Sequence, residues 1–142
     1  MRRWTEGVLS LVIVLAFGLG MSLYAGESSP GEGPDTSTPV EVDPAAAARG
    51  ETAANSVGCF ACHSVDGSSG TGPTFKGLAG SDRPLADGEF VRADDNYLFN
   101  SIVDPGSQIV QGFDNVMPAE FETMLTEAEI DDLVAFIKSL AS

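Results

Sequence analysis

The two cysteines of this chain and its single histidine fall within five consecutive residues, Cys59-Phe60-Ala61-Cys62-His63. That concentration excludes a scaffold of several disulfides. It also excludes a structural zinc site, which needs four nitrogen or sulfur ligands. No histidine other than His63 is left to act as a ligand or a general base.

Cys-x-x-Cys-His is the attachment pattern for c-type haem. Two cysteines three apart on a helical turn can each form a thioether to one vinyl group of a porphyrin, and the next residue then projects its imidazole toward the iron. A Cys-x-x-Cys pair also serves thioredoxin-like disulfide exchange, but that fold alternates strands with helices, and strand signal is almost absent here. A bare metal site and a chance occurrence carry less weight still. Haem attachment is the reading the pattern favours, with one haem c held covalently by Cys59 and Cys62 and ligated by His63.

A second axial ligand follows by elimination. Bis-histidine ligation is impossible, and methionine is the usual alternative. Met1 and Met21 lie in the N-terminal segment, which leaves Met117 and Met124. Met117 directly precedes Pro118 in a loop, where a side chain can be presented to a metal. Met124 sits just before the last helix, a place that suits core packing. Met117 is the favoured ligand.

Three units follow one another along the chain. In residues 1–26, Arg2 and Arg3 precede an uncharged, mostly apolar run from Gly7 to Gly26, with Trp4 and Tyr24 near its ends. A 20-residue helix is about as long as the bilayer core is thick. Aromatics at both ends and arginines at the start suit a membrane helix with its N-terminus in the cytoplasm. The rival reading is a cleaved signal peptide, whose apolar region is usually shorter and whose cut after Ala25 would leave Leu23 where a small residue is preferred. Both readings place the rest of the chain on the periplasmic, extracytoplasmic side of a bacterial cytoplasmic membrane. Residues 27–43, rich in Pro, Gly, Ser and Glu, have little to bury and read as a flexible tether, reaching about 50 Å if extended.

Residues 44–142 carry the globular domain. Asp43 can cap a helix that Pro44 begins, running to about Val57 before Gly58 turns the chain into Cys59. Gly50 in its middle costs helix stability and so predicts a close helix–helix approach. A second helix is expected around Asp94 to Val103, ended by Pro105. Thr126 and Glu129 form a capping box for a last helix with an apolar stripe of Ile130, Leu133, Val134, Ile137 and Leu140. Between these lie loops 64–92 and 104–120, the first with a small hairpin expected through Asp87-Gly88. Three helices and such long loops leave a small core for about 100 residues. A large, flat, apolar cofactor would fill the middle.

The order of helix, Cys-x-x-Cys-His, Gly-Pro segment, middle helix, Met-Pro and C-terminal helix resembles class I cytochrome c. The resemblance implies an all-α fold, with three to five helices wrapped around one covalent haem, here behind an N-terminal membrane helix and a linker. It further implies that the Pro73 carbonyl accepts a hydrogen bond from His63 Nδ1, and that Gly50 packs against Phe136 where the terminal helices cross. The stretches Gly72 to Leu78, Asp95 to Leu98, Ser101-Ile102 and Gly112-Phe113 look closer still to two relatives. One is the cytochrome domain fused to subunit II of haem-copper oxidases, and the other is the mono-haem subunit of alternative complex III. This chain has no cysteines or histidines to spare for the copper site of the oxidase subunit.

The implied role is electron transfer without enzymatic turnover, passing single electrons from a quinol-oxidising complex toward a terminal oxidase. A fixed subunit of a respiratory complex such as alternative complex III is the second reading. With 21 acidic against 7 basic side chains and a formal net charge of −14, a nucleic-acid partner is excluded on charge, and a basic patch on a redox protein suits the surface better.

Overall fold

The computed structural model describes residues 41–141. The N-terminal unit at 1–26 and nearly all of the 27–43 linker lie outside the described residues. Among the described residues no helix is long and apolar enough to cross a membrane.

The first helix, α1, spans Pro44–Ser56. Asp43 stands in extended conformation before it, and its Oδ1 accepts a 2.9 Å bond from Ala45 N. Proline at the first helical position lacks the N–H that would otherwise go unpaired there. The buried face of α1 consists of Ala47, Gly50, Ala53 and Ala54. Such small side chains let another backbone come close, and the C-terminal helix takes that place. A Cβ on Gly50 would lie 1.9 Å from the carbonyl oxygen of Asp132 and 2.8 Å from Cβ of Phe136. The close approach that Gly50 predicts is therefore present, against the residue the resemblance implies.

The C-terminal helix, α4, spans Glu127–Ser139. Its capping box is complete: Thr126 Oγ1 accepts from Glu129 N, and Glu129 Oε2 accepts from Thr126 N at 2.8 Å. Ile130, Leu133, Val134, Phe136 and Ile137 are buried, each worth roughly 1.5–3 kcal/mol of burial. Arg49 on α1 clasps Asp132 on α4 with two bonds of 2.7 Å, and Lys138 reaches Asp95 at 2.7 Å.

The middle helix, α2, spans Asp95–Val103 and buries Tyr97, Leu98 and Ile102. Asp94 caps it by accepting from Tyr97 N at 2.9 Å. Asp104 leaves the helical region just before Pro105, as a residue preceding proline is biased to do. A one-turn helix, α3, spans Phe121–Met124. The expected hairpin is present: β1 (Asp82–Pro84) pairs antiparallel with β2 (Phe90–Arg92), with Arg83 opposite Val91. Its turn closes through Gly88 at φ 92° and a 2.8 Å bond from Leu85 N to Glu89 O.

Met124 departs from expectation. It is 57% exposed, while Phe121 and Leu125 close to it are buried. One helical turn cannot bury all of its faces, and Met124 occupies an outer one. The core-packing role expected of it is therefore corrected.

Candidate functional site

The site begins where α1 ends. Gly58 takes a left-handed conformation, φ 82°, and turns the chain into a 3-10 turn over Cys59–Ala61. L side chains rarely adopt that conformation. The N–H groups of Cys62 and His63 both donate to the Cys59 carbonyl, at 3.1 and 3.0 Å. This single turn puts Cys59, Cys62 and His63 on the wall of one cavity of about 360 Å³, within the usual range for cofactor pockets of roughly 300–1,000 Å³.

The His63 ring is fixed on three sides. Its Nδ1 lies 2.6 Å from the Pro73 carbonyl oxygen. A carbonyl only accepts, so Nδ1 carries the proton and Nε2 keeps a free lone pair, the arrangement expected of a metal-binding imidazole. The ring stacks on Phe75, centroids 4.7 Å apart and planes 9° off parallel. Gly72 presses on it from another side. Burial lowers the His63 pKa, opposed by its bond to Pro73, which favours the neutral imidazole. Burial raises the Cys59 thiol instead, the opposite of what an activated thiolate in disulfide exchange needs.

The rest of the cavity is apolar. Leu98 and Ile102 from α2, Phe121 from α3, and Leu133 and Ile137 from α4 line it. Met117 is on the same wall and partly buried against the core, whereas Met124 does not line the cavity. Of the residues the sequence singles out, Cys59, Cys62, His63, Pro73 and Met117 are all brought to this one space. The donor set suits haem: two thiols, an imidazole with a free Nε2, a neutral thioether, and apolar walls.

Two polar atoms escape sequence reasoning. Ser101 Oγ and Arg83 Nε are buried without a hydrogen-bond partner among the described residues. Ser101 lines the cavity along with Tyr97, Leu98 and Ile102. A serine in that otherwise apolar stripe is the signal that could have found it. Arg92, by contrast, pairs with Asp82 at 3.1 Å.

A family model described as cytochrome c matches residues 47–141. The chain belongs to the cytochrome c family. No match was found among curated proteins. A cytochrome c domain carries electrons and binds haem c covalently, and one Cys-x-x-Cys-His run provides for one such group. The four α-helices among the described residues of this cytochrome c, packed around a space flanked by that run, fit the class I fold.

Proposed function

We propose that this cytochrome c is a membrane-anchored mono-haem carrier passing single electrons from a quinol-oxidising complex toward a terminal oxidase. The haem domain, residues 44–142, would stand on the extracytoplasmic side. The anchor and tether are supported by the apolar run Gly7 to Gly26 behind Arg2-Arg3 and by the Pro- and Gly-rich stretch that follows. When bound, haem supplies a one-electron ferric/ferrous couple. Cys59 and Cys62 hold it by thioethers, His63 and Met117 are its axial ligands, and Pro73 orients His63.

The observation that carries this reading is the 2.6 Å bond between His63 Nδ1 and the Pro73 carbonyl. It commits Nε2 to a ligand in a cavity that Met117 also lines. A thioether opposite imidazole favours the ferrous state and raises the potential. With both axial positions taken, the apolar walls exclude water and substrate from the iron.

Native membranes test the reading directly. Quinol should reduce the haem of this protein, oxygen should reoxidise it, and blocking the terminal oxidase should hold it reduced. Haem that stays unchanged through the cycle would overturn the proposal. Co-purification in fixed stoichiometry with a larger complex would select the second arrangement, a resident subunit such as that of alternative complex III.

A further inference from the structure

The surface of this domain is uneven in a way that points to one docking face. Between Arg92 and Lys138 the chain has ten carboxylates and no lysine or arginine. Inside that run, residues 114–118 form part of the cavity wall, and all of them except Met117 are exposed themselves. Here the interior space and the outer surface are separated by a single layer of chain.

A second observation falls on the same segment. Among the described residues five large apolar side chains are exposed, and Val116 is one of them, at 59%. Val116 also lines the cavity, so it stands at the cavity's margin. Asp114, two residues before it, and Glu120 and Glu122, shortly after, are exposed carboxylates. None of the three makes a salt bridge among the described residues, whereas Asp132, Asp82 and Asp95 elsewhere do. An apolar point beside unpaired charges of one sign matches the anatomy of a transient interface, with an apolar centre and a charged rim.

We propose that residues 114–122 are the docking face for a redox protein that presents an apolar patch ringed by lysine or arginine. The proposal rests on the electron-transfer reading and adds the face and the chemistry of the partner. The remaining acidic groups act differently. Glu41, Glu127 and Asp131 line a separate groove together with Lys138, and none of them borders the haem cavity. They contribute to net charge without marking a route to the haem.

The test compares two triple variants of the full-length holoprotein with equal changes in charge. One carries Asp114→Asn, Glu120→Gln and Glu122→Gln; the other carries Glu41→Gln, Glu127→Gln and Asp131→Asn. The probe is a basic, lysine-rich cytochrome c of the mitochondrial type in its oxidised form. One electron leaves the reduced protein and one arrives on the probe, followed by stopped-flow absorbance. At low ionic strength the first triple should slow the second-order rate by about tenfold, with a flatter salt dependence, since steering of this kind is worth roughly 10–1,000-fold. The second triple should slow it by less than about twofold. Equal slowing by both, or none by the first, would overturn the proposal. Ferricyanide serves as a small oxidant that needs no docking face. A wild-type protein that fails to reduce it would sink the electron-transfer reading, whereas normal reduction with unchanged triples would sink the docking face alone.

Discussion

Gly72 lies against the imidazole of His63 so closely that a methyl group at position 72 would fall 2.5 Å from Cε1 and 2.8 Å from Nε2. A ring held this tightly cannot give way without losing its bond to Pro73. Gly72→Ala should therefore tilt or expel the imidazole. Haem-stained protein per cell should fall severalfold, and any holoprotein formed should show a lowered midpoint potential. Wild-type yield and potential in the variant would mean that the ring is free to move aside.

Gly50 makes a prediction of opposite sign to the usual rule. Glycine to alanine inside a helix normally stabilises by about 1 kcal/mol. Here the added Cβ would overlap the Asp132 carbonyl at 1.9 Å, forcing α1 and α4 apart. Overpacking costs typically about 1–3 kcal/mol, so Gly50→Ala should lower the midpoint of denaturant unfolding. A raised midpoint would contradict the close crossing.

The two candidate methionines now separate clearly. Met117→Ala should abolish the weak charge-transfer band at the red edge of the oxidised spectrum and let carbon monoxide bind the reduced protein. Met124, 57% exposed and off the cavity wall, should tolerate alanine within about 0.5 kcal/mol of stability and keep the band. Loss of the band in the Met124 variant would reassign the ligand.

Acid should weaken the fold through identifiable carboxylates. The Arg49 guanidinium holds Asp132 below its ordinary value of 3.8. Bonds from the backbone N–H and hydroxyl of Thr126 hold Glu129 below its ordinary 4.5. A carboxylate depressed in the folded state contributes stability that is present above its unfolded value and disappears as pH falls through its folded value. Stability should thus be level with respect to these two groups above about pH 5 and decline below about 4.5. Glu129→Gln should lower stability at pH 7 and flatten that decline. A variant as pH-dependent as the parent would remove the capping box from the explanation.

Much of the architecture is legible in the sequence because its signals are local. Asp43-Pro44, Asp94 and the Thr126/Glu129 box mark helix starts by chemistry confined to one turn, and all three cap as expected. The turn at Asp87-Gly88 is legible for the same reason, although the paired strands sit farther out than the turn alone suggests. Cys59, Cys62 and His63 are bound to share a wall by their spacing. The exposure of Met124 is not legible, because it depends on which face of a one-turn helix meets the core, and four residues carry no periodicity to decide that. The orphaned Ser101 and Arg83 atoms are invisible for a related reason. A missing partner is a property of the packed molecule, and no single stretch of sequence contains it.

The haem cavity draws on residues from Val57 to Ile137, including all three helices that follow the Cys-x-x-Cys-His turn. An interior hollow of about 360 Å³ would cost on the order of 9 kcal/mol at roughly 24 cal/mol per Å³. That is comparable to the whole stability of an ordinary domain, about 5–15 kcal/mol. A chain that never received its haem would have little left to keep it folded, and proteases would clear it. The amount of this protein in a cell should then follow the supply of haem and the capacity to attach it, even when its messenger is abundant.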